Sequence, residues 1–139
     1  TVARAADTGE IVAATGDARV ASASRRDYAE AAAVALTTDE LAGRTVEIGG
    51  DVAWTYDELA AAASEVLGRP VTYTRVSVEQ LTEGLQAAGL DAGTAAFVAG
   101  IDDAIARGAL EQTDGSLSRL IGRPTTPLVE GLRQGLAAR

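Results

Sequence analysis

The chain lacks four residue types entirely: cysteine, histidine, methionine and lysine. Aromatic residues make up only 4% of its 139 positions. Each absence excludes chemistry. Without Cys there is no thiol nucleophile and no disulfide. Without His there is no imidazole base, and without both there is no zinc site of the Cys/His type. Without Lys no Schiff base can form. All 12 basic residues are therefore Arg. Long apolar runs are also missing. None approaches the roughly 20 residues that cross a bilayer, and no signal-peptide pattern is visible.

What is present has an ordinary globular balance, with 47% hydrophobic and 23% charged residues. The length suits one small domain or a piece of a larger one. The formal net charge is −8. An acidic surface repels phosphate backbones, so nucleic acid is not an expected partner, and neither is a membrane. The densest basic spot is Arg25-Arg26. A cytoplasmic location is expected. Val2 to Ala6 reads as the end of a helix that stops near Gly9, which suggests further chain upstream.

Strand and helix signals alternate along the front of the chain. Ile11 to Ala14 is a short apolar run that ends in the turn Thr15-Gly16-Asp17. Arg19 to Ala23 reads as a strand. Asp27 is placed to cap a helix starting at Tyr28, with Tyr28, Ala31, Ala32, Ala35 and Leu36 on one side and a flat surface, a sheet, as its neighbour. Thr45 to Ile48 reads as another strand, running into Gly49-Gly50-Asp51. Thr55-Tyr56-Asp57-Glu58 is a capping box, and Tyr56, Leu59, Ala60, Ala63, Val66 and Leu67 then recur at helical spacing. Gly68 and Pro70 end that helix. Val71 to Val76 is β-rich.

The back half reads as helix. Ser77 to Gln80 is a second capping box, with Val78, Leu81, Leu85 and Ala88 inward. A helix from Thr94 places Phe97, Ile101, Ala104 and Ile105 on one face and Gly108 past its end. Ser116 to Ile121 forms a helical turn. Pro127, capped by Thr126, opens a last helix with Leu128, Leu132 and Leu136 on its buried stripe.

Most catalytic constellations fail. Gly49-Gly50 does not lead directly into a helix, so no Gly-rich dinucleotide turn is present. Tyr28, Tyr56 and Tyr73 have no lysine for a Tyr-x-x-x-Lys proton donor and read as amphipathic core residues. Ser22 and Ser24 have no His partner. Asp102-Asp103 point about 100° apart on a helix and do not chelate together. Asp103 suits a surface pair with Arg107, and Asp102 either lies on the solvated face or edges a pocket. If the strands at 19–23 and 45–48 are parallel, Ser24-Arg25 and Gly49 to Trp54 lie on the edge where such sheets bind ligands. Arg25 then either meets an anionic group or pairs with Asp27 or Glu47.

Three stretches carry a resemblance: Val20 to Leu36 around Ser24-Arg25-Arg26-Asp27-Tyr28, Val46-Glu-Ile-Gly-Gly-Asp51 with Trp54-Thr-Tyr-Asp-Glu-Leu59, and Leu120-Ile-Gly-Arg-Pro-Thr-Thr-Pro-Leu128. In this order they resemble the carboxyl-terminal half of NmrA-like, atypical short-chain dehydrogenases, in the bacterial NAD(P)H:quinone oxidoreductase branch. The resemblance implies an α/β fold: residues 1–54 are the closing βαβ part of a Rossmann-type sheet, and 55–139 are a mostly helical substrate lobe. It implies NADP or NAD in the full-length parent, held by an amino-terminal lobe, and none for this chain alone. No catalytic, cofactor or metal residue carries over. A flat quinone is the implied substrate, with Phe97, Ile101, Ser24, Arg25 and Trp54 as the residues expected to touch it, although core packing competes for Phe97 and Ile101. The missing lobe, or self-association, is expected to cover the exposed apolar surface. Pro124 and Pro127 read as fixing a tight connection. A non-catalytic redox sensor of the same family and a stand-alone interaction domain are the alternatives.

Overall fold

A computed structural model describes residues 2–137. The order is α1 (Val2–Thr8), β1 (Glu10–Ala13), β2 (Arg19–Val20), α2 (Arg25–Thr37), β3 (Trp54–Thr55), α3 (Tyr56–Leu67), β4 (Thr72–Arg75), α4 (Val78–Ala87), α5 (Ala92–Ala106), α6 (Ser116–Ile121) and α7 (Leu128–Ala137). A 3-10 turn at Asp39–Leu41 follows α2. The chain divides into two compact units. One contains the residues up to Val20 with Trp54–Glu111; the other contains Ala21–Ala53 with the residues from Gln112 on. Neither unit is one continuous stretch of chain.

The helix starts are set by side chains within a single turn. An α-helix leaves its first amides without partners, and a short polar side chain just ahead can take one of them. Thr55 accepts from the Glu58 amide at 3.2 Å while the Glu58 carboxylate accepts from the Thr55 amide at 2.7 Å. Ser77 and Gln80 make the same reciprocal pair for α4. Asp91 caps α5 through the Thr94 amide, so that helix begins two residues before the expected Thr94. Gly68, at φ +66°, ends α3 in the left-handed region where a Cβ is disfavoured.

In the first unit β1 pairs with β4 in parallel, in the register Glu10↔Thr72 to Ala13↔Arg75. β2 pairs with β3 antiparallel through Arg19↔Thr55 and Val20↔Trp54. Its core joins Ala14, Leu81 and Ala99, with Val76, Val78 and Leu85 packed against them. The α5 face turned inward is Ala95, Ala99 and Ile105. This corrects the expected face. Phe97 is 71% exposed and Ile101 is 45% exposed. Residues two apart on a helix point about 200° apart, so α5 could bury the alanine stripe or the Phe97 stripe but not both. Small side chains let α4 and α5 approach closely, and the alanines face inward.

In the second unit the core is Ala31, Leu117 and Ile121, with Ala23, Tyr28, Ile48 and Leu120 around it. α2 therefore packs on α6 rather than on a sheet, and Leu36 stands 87% exposed. The strand expected at 19–23 is only two residues long. Residues 45–48 form no strand, so no parallel pairing joins these two segments. The segments meet instead at the glycine pair beyond the expected strand. The Gly50 amide donates to the Ala21 carbonyl at 2.8 Å, and a Cβ on Gly50 would lie 2.2 Å from the Ser22 carbonyl oxygen. A ladder needs repeated bonds along both segments, and this contact is local to the glycines.

A substitution tests this contact. Gly50→Ala is expected to cost about 2 kcal/mol or more, because the clash is with backbone and cannot be relieved by a rotamer change. Gly84→Ala on α4, where an added Cβ meets no atom within 4 Å, is expected to gain about 0.5–1 kcal/mol. Urea unfolding of both variants measures the two signs.

Candidate functional site

Concave surfaces lined in part by polar groups occur in both units. In the first unit the turn after β1 is held by Tyr73 of β4. Its phenol lies 3.1 Å from the Thr15 hydroxyl and donates to the Gly16 carbonyl at 3.2 Å. Tyr73 also belongs to a run of three rings. The Trp54 and Tyr56 centroids are 5.8 Å apart and those of Tyr56 and Tyr73 are 5.4 Å apart, both tilted. The Arg75 guanidinium lies over the Tyr73 ring at 4.9 Å and pairs with Asp17 and Asp57. Tilted ring pairs of this spacing are favourable beyond the area they bury.

Tyr56 also borders a cavity of about 380 Å³ whose other walls include Ile11, Ala13, Leu81, Leu85, Val98 and Asp102. Asp102 is half-buried and accepts the Ala14 amide at 2.8 Å. Burial pushes its carboxyl above the usual carboxylate range, against the opposing pull of that amide. Burial, then the Asp102 charge, then Tyr73, push the Tyr56 phenol up to about 12. Tyr56 is thus a neutral hydrogen-bond donor at ordinary pH. Arg4, Thr8, Glu10 and Gln80 also line this cavity, so it combines an apolar wall with several polar groups, as small-molecule sites do. Of the two readings open for Asp102, the pocket edge is the observed one. Asp103 pairs with Arg107, as its spacing suggests.

The second unit is organised by Asp27, which has no exposed surface. One carboxylate oxygen accepts from the Ser24 amide at 3.1 Å and the Thr126 amide at 3.0 Å. The other accepts from the Thr126 hydroxyl at 3.0 Å and from Arg123 at 2.8 Å. Arg123 also pairs with Glu30. Burial opposes ionisation of Asp27, but the bonds from Thr126, Arg123 and Ser24 outweigh it and hold its pKa below the usual carboxylate range. Asp51 makes a second tie: it accepts from the Thr125 amide at 2.8 Å, while its own amide donates to the Thr125 hydroxyl at 3.0 Å. The Thr125 amide bond, and then a bond from Ser118, lower the Asp51 pKa. Asp27 is therefore not the residue ahead of the helix, as expected. Ser24 takes that place, and Asp27 is its partner in a third capping box. Thr126 serves Asp27 and not the start of α7.

Of the residues expected at the site, Trp54, Phe97 and Ile101 belong to the first unit and Ser24 and Arg25 to the second. Trp54, half-buried, stands at the head of the ring run. Phe97 and Ile101 lie on the exposed face of α5, which rules out core packing for them. The Ser24 hydroxyl is engaged internally, accepting from the Asp27 amide at 3.1 Å and donating to Thr126 at 3.4 Å. Arg25 lines a cleft beside α7. It does not take Asp27, whose oxygens are already occupied. The part played by Arg123, Thr125, Thr126 and Asp51 was not foreseen; Ser24-x-x-Asp27 is itself a capping-box spacing and was the available signal. Among the described residues, no group of three His, Cys, Asp or Glu is arranged to hold a metal ion.

No family model matches the chain. It is 38% identical over 128 residues to quinone oxidoreductase 2 of Escherichia coli, covering 92% of this chain and 45% of that protein. The crystal structure of an NADPH-dependent quinone oxidoreductase from Escherichia coli superposes with a TM-score of 0.90 at 36% identity, covering 97% of this chain and 49% of that one. Triphenylmethane reductase of Citrobacter sp., crystallised with NADP(H), superposes at 0.85 with 37% identity, over 94% of this chain and 46% of that one. These neighbours define a class, reductases with a Rossmann-type α/β fold. Over the matched span the chain's homologues and structural neighbours are NmrA-like reductases and NAD(P)H quinone oxidoreductases, the group that the sequence resembles. It spans about half the length of the relatives it matches, which fits their carboxyl-terminal half.

Two substitutions test the electrostatics. For Asp27 the folded pKa is depressed, so its stabilisation is present above the unfolded value of about 3.9 and is lost as pH falls from there toward the folded value. Asp27→Asn is expected to cost about 2–3 kcal/mol at neutral pH. The gap between wild type and variant should shrink in acid, as followed by urea unfolding against pH; a constant gap would contradict the assignment. For Asp102 the folded pKa is raised, so the ionised form costs stability above about pH 4. Asp102→Asn keeps an acceptor for Ala14. It is expected to raise the melting temperature by a few degrees at pH 7 and to leave it unchanged in acid.

Proposed function

We propose that this chain is the substrate-binding part of an NAD(P)H-dependent quinone oxidoreductase, whose full-length form passes a hydride from the nicotinamide to a quinone. One observation carries the reading: 97% of the chain superposes, at 36% identity, on half of an NADPH-dependent quinone oxidoreductase. Residues 55–139 supply most of the substrate lobe in this reading. Phe97 and Ile101 give exposed apolar surface, one helical turn apart on α5, against which a flat ring can lie. Trp54 adds an aromatic face in the first unit. Ser24 and Arg25 offer polar contacts in the second.

The dinucleotide itself does not fit the described residues. A pyrophosphate needs a Gly-rich turn that brings a strand into a helix with free amides. Here β3 enters α3 through the Thr55–Glu58 box and β4 enters α4 through the Ser77–Gln80 box, and neither junction carries a Gly-rich turn. The turn after β1 leads into β2, not into a helix. Cofactor binding is accordingly assigned to the part of the parent that lies outside this chain. The chain's own share is to bind and orient the acceptor and to keep water from it.

The test uses the parent at the full length of its relatives. NADPH oxidation is followed by its absorbance with a soluble quinone as acceptor. Turnover above the uncatalysed rate is expected. Phe97→Ala is expected to raise the quinone KM several-fold with little change in kcat, as for a contact made equally in ground and transition state. No turnover would favour the non-catalytic redox sensor, and an unchanged KM would remove Phe97 from the acceptor site.

A further inference from the structure

The second unit holds a cleft of about 470 Å³ between the start of α2 and one face of α7. Its charge is unusual for this chain. The net charge is −8, and the arginines at 19, 75, 107 and 123 are all paired with carboxylates. Arg25 and Arg26 both line the cleft, and among the described residues neither side chain has an ion-pair or hydrogen-bond partner. The nearest acid in sequence, Asp27, cannot serve them, because its two oxygens are buried and filled by Ser24, Thr126 and Arg123.

The polar groups of the capping box are engaged with one another, so the formal charge lining the cleft lies on the two arginines. The Asp27 amide is bonded to Ser24 and the Ser24 amide to Asp27. The Ser24 and Thr126 hydroxyls are both donated internally. The two guanidinium groups therefore dominate the electrostatics of the cleft. Its other wall is apolar. Leu128 and Leu132 of α7 line it, and Gly131 and Gly135, one turn apart, leave it open. A Cβ at Gly135 would meet no atom within 4 Å.

We propose that this cleft binds a small molecule with an apolar body and one anionic group, the anion held by Arg25 and Arg26 and the body laid along Leu128, Leu132 and the bare glycine face of α7. Guanidinium groups pair with carboxylate and phosphate through parallel N–H bonds, so both kinds of anion qualify. Arg25 is shared with the acceptor contacts proposed above, but the test reads anion binding without turnover, so its failure and the failure of that reading are distinguishable.

Calorimetric titration of the 139-residue chain tests it with four probes: phenyl phosphate, benzoate, inorganic phosphate and benzyl alcohol. Saturable binding of phenyl phosphate or benzoate is expected. Whichever of the two binds more tightly identifies the anion. Inorganic phosphate and benzyl alcohol, each carrying half of the recognition, should bind at least about tenfold more weakly. The double variant R25A/R26A should weaken binding about tenfold or more, and R25K/R26K should restore part of it. Gly135→Leu fills the cleft from α7. It should abolish binding while leaving the melting temperature unchanged or raised, because glycine is the poorer helix former. Three results would overturn the proposal: no saturable binding of either aromatic anion, equal binding of benzyl alcohol, or binding that survives both R25A/R26A and Gly135→Leu.

Discussion

A carboxylate with no access to water sets the form of the second unit. Asp27 gathers two backbone amides, a hydroxyl and a guanidinium from segments 99 residues apart in the chain. Burying a charge without partners is costly, and the cost rises steeply when one partner is removed. The segment Arg123 to Thr126 is therefore held in one position against the start of α2, and Asp51 with Thr125 fixes the same segment a second time. The two prolines that flank these threonines restrict the backbone, but the carboxylates supply the attachment. This is why the Leu120 to Leu128 stretch, which reads as structural, does more than connect two helices.

The first unit is built on a different constraint. Its helices come close through alanine, and its rings gather on one side, from Trp54 through Tyr56 to Tyr73. With Ala95, Ala99 and Ile105 turned inward, Phe97 and Ile101 of α5 are left outside. The cavity bordered by Tyr56 and Asp102 lies in the same unit. Burial there pushes both the phenol and the carboxyl toward their neutral forms.

Function and fold connect through this division of labour. The relatives that match are reductases of about twice the length, and the described residues provide clefts and not a nucleotide cradle. The described strand-to-helix junctions after β3 and β4 begin with capping boxes. In the proposed reading this chain binds and positions the acceptor.

The sequence by itself determined several helix ends, one strand and the group of relatives that the chain matches. Capping boxes at Thr55 and Ser77, the left-handed Gly68, the strand at Thr72–Arg75 and the helix at Ser116–Ile121 all depend on neighbours within a turn or two, so local residue types suffice to specify them. Tertiary structure alone decided which strand pairs with β1, which face of α5 is buried, and that Asp27 binds Thr126 and Arg123. Each of these choices depends on segments far apart in the chain. Phe97 and Ala95 lie on opposite stripes of one helix, and the preference between them belongs to the surface of α4, not to α5. The expected strand at 45–48 depended on such a distant choice too: the contact with Ala21 and Ser22 is made by Gly49 and Gly50 beyond it.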